Sequence, residues 1–262
     1  RCSSSLGRRA SLAVHPLFWQ RTIFAETYAP ASGMIASIWL LMLLWRDSKN
    51  ARYLFFAGLL GGLSIGIHST VVMTALSVLV YMIFRVRHLK GWYYAAAGAF
   101  LGVLLVFLAF LYLDFNNPLS SIYNTKYLPN LTAHGITPEE FDTPIERLLE
   151  IFPARSFWTY YFSADTEEIY FRLGEFLTFY PRWQIVFMLI GMISLPFARK
   201  GTLTFLPEAL YAFIAFLLIW GFAVTVIFSV YKEFYVMASV FVHIWLGVGI
   251  SYLLKKITYL FG

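Results

Sequence analysis

The stretch RYLFFAGLLGGLSIGIHSTVVMTALSVLVYMIFRVR, Arg52 to Arg87, carries no Asp, Glu, Lys or Arg from Tyr53 to Phe84. Drawn as one straight helix at 1.5 Å per residue, that run would be roughly 50 Å long. A bilayer core is only about 30 Å thick, so the run is too long for one ordinary span. It divides at Gly66-Ile67-His68-Ser69 into two apolar arms, Tyr53 to Ile67 and Thr70 to Phe84. Each arm is short for a span, and the pair reads as a hairpin of short or tilted helices. The basic ends Arg46/Lys49/Arg52 and Arg85/Arg87/Lys90 then lie on one side, which the positive-inside rule makes cytoplasmic. His68 falls at the tip, on the outer side.

Composition supports the membrane reading. Of 262 residues 60% are apolar and 13% are charged, against about 25% charged in soluble domains. Mean hydropathy is +0.68. The net charge of +6 does not indicate a nucleic-acid partner, because the Lys and Arg residues stand in short clusters beside apolar runs, as topology signals do. The single cysteine, Cys2, excludes an internal disulfide. The chain opens at Arg1 without a methionine and reads as a fragment whose N-terminal part lies upstream.

The fold expected is therefore all-α: a polytopic transmembrane helix bundle of about seven membrane helices, including the short-helix hairpin. The whole of 1–262 forms one transmembrane domain. Phe24 to Trp45 is the first clear span, with Pro30 early in it, where its missing N–H costs least. Further spans follow at Trp92 to Leu113, Gln184 to Phe197, Leu206 to Val230 and Val236 to Leu254, the last two joined by a tight outer turn at Tyr231-Lys232-Glu233-Phe234-Tyr235. Gly58, Gly61, Gly62 and Gly66 in the first hairpin arm let helix backbones approach closely in lipid. The basic clusters of the hairpin, Arg199-Lys200 and Lys255-Lys256 all face inward only if the Arg52–Arg87 run crosses twice. Residues 114–182 hold ten acidic residues against five Lys or Arg. They form one long outer loop with interfacial helices, and Thr137-Pro138-Glu139-Glu140 and Asp142-Thr143-Pro144-Ile145-Glu146 read as helix starts.

On this topology Glu26, His68, Lys232 and Glu233 gather at the outer face. Polar groups at membrane depth are expensive and often functional. Each also has a plainer reading. Glu26 suits a helix N-terminus, where the macrodipole favours an acid. His68 suits a cap on the free carbonyls of its own helix. Lys232 and Glu233 suit a solvated turn, and His243 a packed or hydrogen-bonded core position. No histidine has metal-ligand spacing with a partner, so no metal site is expected, and no nucleophile elbow is visible.

Phe18-Trp19, then Ala25-Glu26-Thr27-Tyr28, then Gly58-Leu59-Leu60-Gly61-Gly62-Leu63-Ser64-Ile65-Gly66-Ile67-His68, resemble the protein O-mannosyltransferase-like membrane proteins of the GT-C glycosyltransferase class. That family opens one transmembrane helix with a Trp…Ala-Glu-x-Tyr segment and ends the next with a Gly-rich segment closed by His. Tyr231 to Gly249 resembles the family's closing helix more loosely. The resemblance implies a GT-C-type bundle. It implies transfer of a sugar such as mannose from a polyprenyl-phosphate donor to a protein or glycan acceptor, at the outer or lumenal face of a bacterial inner membrane or the endoplasmic reticulum. It makes Glu26, Tyr28, His68 and Lys232 the substrate-binding candidates, with Lys232 and His68 the cations available to the departing phosphate. It places the acidic catalytic loop before Arg1, and membrane lipid, donor and acceptor as the partners. The rival readings are a transporter or lipid flippase with a polar path between broken helices, and a noncatalytic membrane scaffold. Against the transporter stands the lack of a second Gly-interrupted hairpin or an inverted repeat.

Overall fold

A computed structural model describes residues 27–86, 89–116, 128–133, 135, 137, 143–151, 155–197, 205–227 and 231–261. Every regular element among them is a helix. The elements are α1 (Tyr28–Ser48), α2 (Arg52–Ser64), a 3-10 turn (Ser69–Thr74) leading into α3 (Ala75–Arg85), α4 (Leu89–Phe115), α5 (Leu128–Ala133), α6 (Pro144–Ile151), a 3-10 turn (Arg155–Tyr160), α7 (Thr166–Thr178), α8 (Arg182–Ser194), a 3-10 turn (Leu195–Phe197), α9 (Leu206–Thr225) and α10 (Tyr231–Phe261). The all-α helix bundle expected from the sequence is what forms.

Four helices, α1, α4, α9 and α10, are long and apolar enough to cross a membrane. The other three expected crossings are shorter: α2 and α3 are the arms of the hairpin, and α8 has 13 residues. α7 and α8 together meet the same criterion, but they bend by 99° at the break before Arg182. Pro181 stands in that break as the N-cap of α8, where a residue without an N–H removes no helical hydrogen bond.

The long apolar run breaks where its glycine and histidine predict. α2 ends at Ser64, Ile65 to Ile67 turn, and His68 is extended. The hairpin returns to the end where it began, Ala51 and Arg85 lining one cavity, with α2 packed on α1 and α4 and with α3 packed on α9. Arg46 at the end of α1 and Arg85 at the end of α3 both reach Glu208 in the first turn of α9. At the opposite end, the rings of Tyr28, His68 and Phe234 bring together the start of α1, the hairpin tip and the start of α10.

Packing explains the glycines. Along the α2–α4 seam a Cβ on Gly62 would fall 2.7 Å from the backbone N of Val103, and one on Gly98 2.9 Å from the N of Leu59. α8 and α10 meet the same way, a Cβ on Gly191 falling 2.8 Å from the N of Gly249. Without a hydrophobic driving force between helices in lipid, such backbone-to-backbone approach supplies the van der Waals contact that holds them. α10 is the central element: Tyr235, Phe241 and Trp245 are buried along it. α4 is the opposite case, with Phe100, Leu104 and Leu108 exposed on a helix that is apolar all round. An apolar surface of that extent is stable against acyl chains and not against water.

The described parts of 114–182 are helical. α6 starts with the capping box written in Thr143 and Glu146: Glu146 accepts from the Thr143 backbone N–H at 3.0 Å, and the Thr143 hydroxyl accepts from the Glu146 N–H at 3.3 Å. Arg147 then ties α6 to the end of α4 through a two-pronged pair with Asp114, 2.7 Å on each prong. The helix start expected at Thr137–Glu140 lies largely outside the described residues. One boundary differs from expectation: Tyr231 to Tyr235 form no turn but the first turn of α10. The aromatic side chains of that turn pack inward, and this lengthens the helix.

Candidate functional site

The site is built at the end of the bundle where α1, the hairpin tip and α10 meet. Tyr28 is the first residue of α1, and its ring lies 4.7 Å from that of His68, centroid to centroid, tilted by 43°. Phe234 closes on both edge-on, 5.3 Å from Tyr28 and 5.7 Å from His68. Edge-to-face packing of this kind fixes ring orientation as well as burying area.

The His68 backbone N–H donates to the Ser64 carbonyl at the end of α2, at 2.9 Å, while its side chain serves the next element. The ring caps the 3-10 turn that follows, its Nδ1 accepting from the Thr70 N–H at 3.3 Å and lying 2.7 Å from the Thr70 hydroxyl. A backbone N–H can only donate, so Nδ1 is the acceptor and the neutral ring carries its proton on Nε2. Burial pushes the imidazole down from 6.5 to about 4, so it is uncharged at neutral pH.

Lys232 begins the same helix as Phe234 but turns another way. Residues two apart on a helix point to nearly opposite sides, and the Lys232 ammonium pairs with Glu175 of α7 at 2.6 Å. Glu175 also accepts from the Tyr231 hydroxyl at 2.7 Å. Tyr28 and His68 are thus brought together, and Lys232 stands at the same end of α10 but points to another side, paired with an acid. Glu26 lies outside the described residues. Glu233 is buried and is no solvated turn residue. His243 is buried, its Nδ1 2.7 Å from the Ser239 carbonyl oxygen, as expected for a packed, hydrogen-bonded histidine.

Sequence reasoning passed over the residue that organises this face, Arg172. It is 2% exposed. Its guanidinium donates to the carbonyl oxygens of Ala223, at 3.3 Å, and Val226, at the C-terminal end of α9. It pairs with Glu168 one turn earlier on α7 and lies 3.9 Å from the centroid of the Tyr231 ring. The last carbonyls of a helix have no intrahelical donor and carry partial negative charge, so a planar cation with several N–H groups satisfies both needs. Arg172 therefore docks α7 on α9 and α10 and sets Glu175 beside Lys232. The only trace in the sequence is the i, i+4 pair Glu168–Arg172 on an otherwise amphipathic segment.

Residues 4–91 match the family model of the protein O-mannosyl-transferase TMEM260 N-terminal domain. The match contains both segments that carried the resemblance, Phe18 to Tyr28 and Gly58 to His68, and runs through α1, α2 and α3 to the start of α4. The resemblance to an O-mannosyltransferase-like family thus holds for the N-terminal part of the chain. Together with the long apolar helices it makes this a multi-pass membrane protein. No curated protein matches the chain, and neither does any solved structure.

Proposed function

We propose that the Tyr28–His68 end of the bundle binds a polyprenyl-phosphate sugar, and that the protein takes part in transferring that sugar, such as mannose, to a protein or glycan acceptor at the outer or lumenal face. One observation carries the reading. The two segments that resemble O-mannosyltransferase-like proteins, far apart in sequence, meet ring to ring at Tyr28 and His68 inside the matched region. The bundle is read as GT-C in type.

The residues divide the work by charge. A leaving polyprenyl phosphate gains negative charge as the glycosidic bond breaks, and a nearby cation stabilises that change. A neutral His68 does not supply it, so the cation is Lys232, held and oriented by Glu175. The Nε2–H of His68 is a neutral donor suited to a sugar hydroxyl or a phosphate oxygen, and its hydrogen bonds to Thr70 fix the tautomer. Tyr28 adds an aromatic face and a hydroxyl. The proton of the acceptor hydroxyl needs a carboxylate base.

The test is transfer itself, from a polyprenyl-phosphate mannose donor by the full-length protein in membranes. Labelled sugar appearing on acceptor supports the reading, and donor that is bound but only moved across the bilayer replaces it with the flippase.

A further inference from the structure

The end of the bundle opposite Tyr28 and His68 holds a second site. A cavity of about 630 Å3 opens there between α1, α2, α3 and α4, with Lys49, Arg85 and Lys90 in its wall. The Arg85 guanidinium is committed to Glu208, at 3.1 Å through Nε and 2.6 Å through Nη2. Among the described residues that leaves Lys49 and Lys90 as the charge the cavity presents. Both residues are exposed, and neither has an ion pair among the described residues. Lys49 is held in place by its left-handed backbone, φ 57°, and by the Trp45 ring 4.8 Å from its ammonium.

A second cavity, about 390 Å3 and apolar, lies along the same helices. The lining residues of the two cavities are neighbours along three helices. Trp45, Ala51 and Arg85 line the basic cavity, and Met42, Leu54 and Met82, one helical turn away on α1, α2 and α3, line the apolar one. A charged chamber with an apolar groove one helical turn away has the chemistry of one amphiphile: an anionic headgroup with an acyl chain below it. Basic pockets between transmembrane helices bind acidic lipid headgroups for this reason.

We propose that this site binds an anionic phospholipid of the leaflet at the basic end, its phosphate between Lys49 and Lys90 and one acyl chain in the groove beside Gly61. The occupant is a bilayer lipid, because a free phosphate would leave the groove empty and a zwitterionic headgroup would bring its own cation to the lysines.

The experiment is native mass spectrometry of the full-length protein, purified in detergent and exchanged with phosphatidylglycerol or phosphatidylcholine of the same chain length. At about fivefold per lysine near a surface, phosphatidylglycerol is retained at least tenfold better than phosphatidylcholine, as one tightly held molecule per chain. Lys49→Gln with Lys90→Gln brings the two lipids to within twofold of each other. Gly61→Leu fills the groove at a position where an added Cβ meets nothing within 4 Å, and it lowers phosphatidylglycerol retention severalfold with both lysines in place. Thermal melting and gel filtration, unchanged in the variants, establish that they fold. Equal retention of the two lipids by the wild type overturns the proposal. So does retention unaffected by the double substitution, or displacement of the lipid by millimolar glycerol phosphate, which would make the site one for soluble phosphate esters.

Discussion

Arg85 meets Glu208 fork to fork: its Nε lies 3.1 Å from Oε1 and its Nη2 2.6 Å from Oε2, on a carboxylate that is 1% exposed. The pair joins the last turn of the hairpin to the first turn of α9, with the Tyr81 hydroxyl and Arg46 completing the shell at 3.4 and 3.5 Å. Removing the Glu208 charge leaves the half-buried Arg85 and Arg46 guanidiniums without their shared partner, which is strongly destabilising. Glu208→Gln is therefore expected to lower the unfolding temperature in detergent strongly. Asp47→Asn, at an exposed acid beside the same Arg46, should leave it almost unchanged. Equal effects would mean that the buried shell carries no more stability than the surface pair.

The glycine seams give a contrast that needs no charge. Gly62→Leu places a Cβ against the backbone of α4 and should prevent α2 and α4 from docking, with loss of folded protein. Gly33 is exposed on α1, and a Cβ there meets nothing within 4 Å. Gly33→Ala is expected to be neutral or to stabilise by about 0.5–1 kcal/mol through helix propensity. Melting temperatures of the two variants check both statements.

Arg172 is the peg between α7 and the end of α9. Arg172→Met keeps much of the stem and removes the donors to Ala223 and Val226, so those carbonyls lose their charged partner at about 1.5–3 kcal/mol. Hydrogen exchange should rise in α7 and in the first turn of α10 before it rises in α1 or α2. Arg172→Lys should rescue only part of this, because an ammonium cannot span two carbonyls while lying flat on Tyr231. Uniform exchange across all helices would contradict a local role.

The half-buried His68 implies a pH dependence whose sign is fixed. Its value falls from 6.5 to about 4 on folding. The unfolded chain therefore binds the extra proton between those limits, and stability rises with pH across the window from about 4 to 6.5. Above 6.5 the contribution is fully present; it is lost as the pH falls through the folded value. His68→Gln should flatten that part of the stability curve, measured as unfolding temperature against pH. An unchanged slope would mean that His68 titrates as an exposed histidine does.

Much of this architecture is legible in the sequence, for physical reasons that can be named. The apolar run from Tyr53 to Phe84 exceeds one bilayer thickness, so it had to break, and Gly66 and His68 mark where. Clustered Lys and Arg mark helix ends, which is why the basic end could be assembled on paper. Thr143 and Glu146 sit at capping-box spacing, a purely local signal. Glu208 and Arg172 were not legible. Each is a single charge whose meaning depends on partners on other helices, and no local pattern distinguishes a buried, paired charge from one in the headgroups. The inward packing of Tyr231 and Phe234 was missed for a related reason: Lys232 and Glu233 between them read as a polar turn, although a helix can bury one side while it solvates another.

We propose above that the Tyr28–His68 end, with Lys232 at the same end of α10, handles a polyprenyl-phosphate sugar. The most direct measurement is the rate of mannose transfer from a polyprenyl-phosphate donor by the full-length protein in membranes, for the wild type, His68→Ala and Lys232→Met. Each rate is normalised to the amount of protein that stays monodisperse. The account predicts a loss of at least about tenfold for each variant, which corresponds to one charge-assisted contact to the reacting group. For Lys232→Met, higher donor concentration recovers part of the loss. Transfer by both variants at the wild-type rate, with wild-type donor dependence, would contradict it.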